Sequence, residues 1–483
     1  MLSKDPTISL NGRKRLAPPQ RSAIAHTRLL LLAALAVFTM TLGANARAAT
    51  ITVNSLADGG GTRVCTLRSA ITAANKKVAT NRCPAGNGND TINFSVKGTI
   101  TLASALPPVT DNQLTINGPA SPGITIDGGG KVQVMQVASG VTLSLAHLAI
   151  ADGNQAFGFG GGIDNEGTLT VSDGSFTQNV FSGLSDSVGG GAISNEGKLI
   201  VNDSTFSGNG ALGNGATGIA GNGGSILNFG TLTVIRSSFS KNNTGTVASG
   251  GAIHNEGTSS VISSTFSDNI AAPEGPGSGG AIFNSGTLTI AKSTFSGNAS
   301  GFGDGGAIEN KGMLAVINST FSANSTKECG GSIASGFLSG TATIVNSTFS
   351  GNVGGFDCGG GGDISGSAYS LKSTIVAGKA AGGNCVGNTD LGYNISDDDS
   401  CGFSAVGSRN NTDPMLDPAG LANNGGPTQT IALLSGSPAI DAIPLADCTD
   451  QSSNRITTDQ RGFPRPDARG EPACDIGAYE SGF

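Results

Sequence analysis
Residues 161–179 read Gly-Gly-Ile-Asp-Asn-Glu-Gly-Thr-Leu-Thr-Val-Ser-Asp-Gly-Ser-Phe-Thr-Gln-Asn, and the middle of the chain repeats their plan. A Gly-Gly-x-Ile element ends at Ile163, Ile193, Ile226, Ile253, Ile282, Ile308, Ile333 and Ile364. A Phe-x-x-Asn element starts at Phe176, Phe206, Phe239, Phe266, Phe295, Phe321 and Phe349. The step from Ile to Phe is 13 residues six times running and 16 once, whereas the step back to the next Ile varies from 12 to 20. Half of each unit is therefore fixed in length and half tolerates insertion. Leu169, Leu199, Leu232, Leu288 and Leu314 hold one apolar position, and Val171, Val201, Val234, Val261, Ile290 and Val316 hold the next, two residues on. That is strand alternation. Asn-x-Gly at Asn165, Asn195, Asn255 and Asn284 reads as a corner in left-handed backbone. One turn then makes about three short strands, and stacking turns buries Ile on Ile, Leu on Leu and Phe on Phe. The spacing predicts an all-β, parallel β-solenoid. Leucine-rich repeats, propeller blades and calcium-binding nonapeptide coils each need a pattern that is missing here.

Outward from the repeat, Leu67, Ala70, Ile71 and Ala74 mark one face of a short amphipathic helix that would cover the open first coil. Irregular strands follow it at Thr91–Phe94, Thr99–Leu102, Leu114–Asn117 and Ile124–Asp127. At the N-terminus, Arg13, Lys14, Arg15, Arg21 and Arg28 precede an apolar run from Leu29 to Leu42 and a small-x-small triplet, Ala46-Arg47-Ala48. This is the pattern of a secretory leader. The chain accordingly divides into a leader (1–48), an N-terminal cap (49–90), irregular first coils (91–157), regular coils (158–365), Cys- and Asp-rich irregular coils (366–410) and a C-terminal domain (411–483). The leader holds seven of the 27 bases and one of the 34 acids, which leaves 20 and 33, a net charge of −13. A chain so acidic and without a basic stripe is not expected to bind nucleic acid. No segment after the leader is long and apolar enough to span a bilayer, and we expect a secreted or surface-associated monomer.

All eight cysteines lie beyond the leader, which fits an oxidising compartment. Pairing of sequence neighbours is the simplest of 105 arrangements: Cys65 with Cys83, Cys329 with Cys358, Cys385 with Cys401, and Cys448 with Cys474. No Cys-x-x-Cys occurs, and neither His147 nor His254 lies near a cysteine, so zinc is not expected.

The paired elements, seen as Gly190-Gly191-Ala192-Ile193 with Phe206-Ser207-Gly208-Asn209, resemble the repeats of the polymorphic outer-membrane proteins and of bacterial pectin-lyase-like, right-handed parallel β-helix proteins. The resemblance covers about 158–365. Cys65-Thr66-Leu67-Arg68-Ser69-Ala70-Ile71 is similar to the CSLREA domain of secreted β-helix proteins, with Thr66 and Ser69 departing from it. Asn423–Thr430, Gly436–Asp441, Asp459–Pro466 and Asp475–Glu480 resemble the choice-of-anchor domain that follows many bacterial β-helices, though no sorting anchor comes after them. The Asp and Arg residues of this region are read as ion pairs closing the last coil. The families named include adhesins, polysaccharide lyases and hydrolases, so fold alone does not choose among them.

Catalytic signatures are thin. Asn388-Thr389-Asp390 and Asp397-Asp398-Asp399 are too close in sequence to face one another across coils, and Arg461 to Arg469 is better explained by the C-terminal resemblance. The strongest cluster is an acidic corner. Asp164, Glu166 and Glu196 fall on adjacent coils, and His254 and Glu256 follow two coils on. Stacked carboxylates raise one another's pKa or recruit a cation such as Ca2+; otherwise no cofactor is expected. The preferred reading is a non-enzymatic, adhesin-like solenoid that binds a polysaccharide or a cell-surface component. The alternatives are a lyase or hydrolase of the pectin-lyase-like fold, and a plain spacer.

Overall fold
The computed structural model describes residues 48–482, except 60, 121–122, 157, 184–188, 213–220, 337–339, 356–360, 379–381 and 468–472. The leader up to Arg47, Cys358 and Arg469 lie outside the described residues. The chain from Ala48 on is a parallel β-solenoid of about 10 turns.

The first regular coil shows how a turn is made. Ile163–Asn165 and Thr168–Ser172 form one wall, Ser175–Thr177 the second, and Val180–Phe181 the third. Their equivalents stack into sheets of 21, 12 and 7 strands. Each strand pairs in parallel with its counterpart one coil on, so that Ile163 faces Ile193, Leu169 faces Leu199 and Phe176 faces Phe206. The two-residue strand after each Asn was not expected from sequence. Two residues carry no period.

Columns of like side chains fill the inside, Ile on Ile, Leu on Leu and Val on Val among them. The phenyl rings from Phe176 to Phe349 lie parallel, with centroids 4.6–4.8 Å apart. That is the strand spacing of a sheet, imposed on the rings by the backbone. Two Asn columns run beside them. Asn165, Asn195, Asn228, Asn255 and Asn284 each donate from Nδ2 to the Oδ1 one coil on at 2.6–2.8 Å, and the column ends on Asn310. Asn179 to Asn352 form the second column, at 2.8–3.0 Å. Ser259 replaces Leu in the inward Leu column. Its hydroxyl donates to Asn255 Oδ1 at 2.6 Å, so the buried oxygen is satisfied.

The corner differs from the expectation. Neither the Asn nor the Gly of Asn-x-Gly is left-handed. Glycine is needed because a Cβ on Gly197 would lie 2.0 Å from the Gly167 carbonyl oxygen of the coil before. Left-handed residues stand instead between the first and second walls, at Asp173, Asp203, Arg236 and their equivalents, and in the Gly-Gly element, as at Gly160 and Gly190.

At the N-terminal end, Leu67–Lys76 is a helix capped by the Thr66 hydroxyl, which accepts from the Ser69 N–H at 3.3 Å. Leu67, Ala70, Ile71 and Ala74 are buried in one core with Ile51 and Val53 of the first strand, Thr50–Val53. The solenoid continues past the last Gly-Gly-x-Ile, through Ile364–Lys372, Ile375–Ala377, Cys385–Asp390 and Ile395–Ser396.

Residues 411–482 do not simply sit on the last coil. They run back along the solenoid wall. Thr294 Oγ1 donates to the Gln429 carbonyl at 2.6 Å, Thr320 Oγ1 to Gln460 Oε1 at 2.6 Å, and the Ala478 N–H to Thr348 Oγ1 at 3.0 Å. Ile375, Tyr393, Ile443 and Ile476 form a second core there. The ion pairs Arg461–Asp459 at 2.7 Å and Arg465–Glu480 at 3.2 Å are internal to this segment.

Disulfides join Cys65 to Cys83, Cys385 to Cys401, and Cys448 to Cys474. Cys329 is also disulfide-bonded.

Candidate functional site
In the segment Ile-x-Asn the Ile and the Asn point inward, so the middle residue points away from the core. The register stacks these middle residues in one column: Gln136, Asp164, Ser194, Leu227, His254, Phe283 and Glu309. Most are nevertheless covered, with Gln136 and Phe283 half-buried. Asp164 is 7 %, His254 5 % and Glu309 1 % exposed. The Gly-Gly element packs its backbone against the backbone of the strands that carry this column. A Cβ on Gly160 would stand 2.1 Å from the Ile163 carbonyl oxygen and 3.0 Å from the Ser194 nitrogen.

The column holds polar atoms without protein partners. Asp164 Oδ1, Ser194 Oγ, His254 Nδ1 and Glu309 Oε2 are buried and make no hydrogen bond. Such atoms are costly to leave unpaired, and each marks a place for water or a ligand group.

The sequence-derived residues fall into two groups. Asp164 accepts from Gln136 Nε2 at 3.3 Å, and the same amide reaches Glu166 Oε1 at 3.3 Å. Burial, then the charges of Glu166 and Glu196, push the Asp164 carboxyl up to about 7. His254 and Glu256 form the other group, with Nε2 and Oε1 3.3 Å apart. That hydrogen bond draws Glu256 below the usual carboxylate range. His254 is three coils from Asp164, about 14 Å at the sheet spacing. One ion or one reacting bond cannot engage both groups. Among the described residues no three His, Cys, Asp or Glu side chains gather as a metal set, so Asp164, Glu166 and Glu196 do not converge on a calcium position.

Sequence reasoning missed the far end of the column. The His254 ring stacks on Phe283, with centroids 4.5 Å apart and an interplanar angle of 13°. Lys311 Nζ lies 5.0 Å from the Phe283 centroid and 3.7 Å from Glu309 Oε1. Glu309 is pushed up to about 8 by burial, then by Asp304, against the opposing pull of Lys311. Comparing the residue between Ile and Asn in every repeat would have found Phe283 and Glu309.

Glu309 sets a testable pH dependence. The folded chain keeps its proton up to about 8, whereas an ordinary Glu releases it near 4.5. Between those values the folded state binds more protons, so rising pH costs stability. Glu309→Gln is expected to leave the melting temperature unchanged below pH 4 and to raise it by several degrees above pH 8. Melting curves of both chains across that range check this.

No helix among the described residues is long and apolar enough to cross a membrane. No family model matches the chain, and no curated protein matches it.

Proposed function
We propose that the protein is an exported β-solenoid that holds a glycan without cleaving it, at the rim of the column where half-buried Phe283 and exposed Glu256 and Lys311 reach solvent. One observation carries this reading. The half-buried Phe283 ring, stacked on His254 at 4.5 Å and 5.0 Å from Lys311 Nζ, stands on the coil between those that carry the exposed Glu256 and Lys311. A glycan offers a matching alternation, hydroxyls that exchange hydrogen bonds and C–H faces that pack on rings. The coil spacing of about 4.8 Å is close to the length of one pyranose, so successive sugars meet successive coils. The resemblance to bacterial β-helix proteins of the cell surface points the same way. Against cleavage, the two carboxyls of this column that are pushed up to about 7 and about 8, Asp164 and Glu309, stand five coils apart, about 24 Å at the sheet spacing. Paired catalytic carboxyls stand about 5–10 Å apart.

The test is binding of neutral, amine-bearing and uronate-rich polysaccharides to the purified chain, with product followed for a day. Phe283 lies outside the core column, so Phe283→Ala is expected to leave the melting temperature within a degree or two and to weaken binding about tenfold or more, ~1.4 kcal/mol. His254→Ala is expected to act in the same direction. Absence of binding across the panel would end this reading. New reducing or unsaturated ends would replace it with an enzyme, with Asp164 beside Glu166 and Glu196 as the first residues to alter.

A further inference from the structure
The N-terminal end of the solenoid contains two buried carboxyls that the repeat does not require, one in the cap and one in the first coils. Asp90 is 1 % and Asp111 2 % exposed. Asp90 Oδ1 accepts from the Ala49 N–H at 3.1 Å, and the Asn87 N–H lies 3.1 Å from both of its oxygens. Gly86 makes the room, since a Cβ there would stand 2.2 Å from Asp90 Oδ2 and 2.7 Å from Ala74 Cα. Neither carboxyl oxygen of Asp111 has a hydrogen-bond partner. Burial, then the charge of Asp90, pushes the Asp111 carboxyl up, with Lys77 opposing. The positive charge that acts on Asp111 is that of Lys77, an exposed side chain.

The nitrogen that touches Asp90 belongs to Ala49, the residue after the Ala46-Arg47-Ala48 triplet. Its own carbonyl accepts from the Thr91 N–H at 2.8 Å, so Ala49 is fixed at the edge of the first strand pair. We propose that the Ala48–Ala49 bond is a processing site, and that Asp90, with Asp111 beside it, receives the α-ammonium of Ala49 that cleavage creates. The inference rests on the reading of the chain as exported. A leader peptidase would hydrolyse the amide with one water, leaving a carboxylate on Ala48 and an ammonium on Ala49. The uncut amide gives Asp90 one donor and no charge. The ammonium at the same nitrogen gives three donors and a positive charge, and charge-assisted hydrogen bonds of this kind are about twice as strong as neutral ones. Cleavage would then complete the first coil, and the folded cap would be most stable only in the processed chain.

The full chain is exported and the mass of the product gives its first residue, expected to be Ala49. It is compared by thermal unfolding at pH 7 with a full chain carrying Gly-Ser inserted after Ala48, whose processed form begins two residues early. The native terminus is expected to melt several degrees higher, and the difference is expected to vanish in the Asp90→Asn background. A second measurement needs no variant. The Ala49 amine is expected to react with an acylating reagent at pH 8 at least tenfold more slowly than an exposed terminus, whose ordinary pKa is about 8. Equal melting of the two termini, or an amine as reactive as a free one, would overturn the inference. A product that begins elsewhere would overturn it while leaving glycan binding intact. Failure of export would overturn both this inference and the reading of the chain as exported.

Discussion
Asn269→Ala is expected to cost the solenoid about 4 kcal/mol or more. Asn269 is fully buried. Its Oδ1 accepts from the Asn242 backbone N–H at 3.1 Å and from Asn242 Nδ2 at 2.8 Å. Its Nδ2 donates to the Phe239 carbonyl at 3.0 Å and to Asn298 Oδ1 at 2.9 Å. Truncation removes all four bonds at once and leaves their partners inside the protein, at roughly 1–3 kcal/mol for each group without a partner. Asn269→Asp separates size from chemistry. The carboxylate keeps the acceptor and loses both donors, so the variant is expected to be nearly as unstable at pH 7. In acid the carboxyl regains one donor. Its folded pKa is raised by burial, so stability returns as pH falls through that value. Repeat arrays do not unfold as one unit. Hydrogen exchange read coil by coil, with protection lost first on the coils of Asn242 and Asn298, is therefore the measurement. Unchanged protection on those coils would show that the Asn column is decoration.

Phe266→Ala is the second large effect, expected at about 3–5 kcal/mol. Phe266 is fully buried between Phe239 and Phe295, at 4.8 and 4.7 Å. The coils on either side are held apart by backbone pairing. They cannot close on the void, so the cavity cost stays. Phe266→Leu refills most of the volume and is expected to cost less than half as much. Thermal melting of the two variants against the parent checks the order. Equal losses would mean that ring stacking, and not volume, holds the column.

The two variants also separate what was readable from what was not. The 13-residue step from Ile to Phe and the alternation of Leu169 with Val171 determined the solenoid, because a coil repeats its inward residues in register. The i, i+3, i+4, i+7 pattern at Leu67 determined the helix. The three described pairs of neighbouring cysteines are close in space because each closes a short loop.

Other features needed the coordinates. The corner glycines read as a backbone preference, yet Gly197 is required by the Gly167 carbonyl of another coil. Its contact is about 30 residues away in sequence, and local spacing is blind to it. Asp164, Glu166 and Glu196 were legible as a cluster because they lie on adjacent coils. Glu309 was not, since its pKa is raised by burial and by Asp304. The C-terminal segment gave no sign of where it docks, because Thr294, Thr320 and Thr348 look like ordinary strand threonines. Only the folded chain brings Gln429, Gln460 and Ala478 to them. Sequence by itself determined the period, and hence the fold, because periodicity is a local property of the chain. Burial, protonation and docking depend on residues one or more coils away, and those the tertiary structure decided.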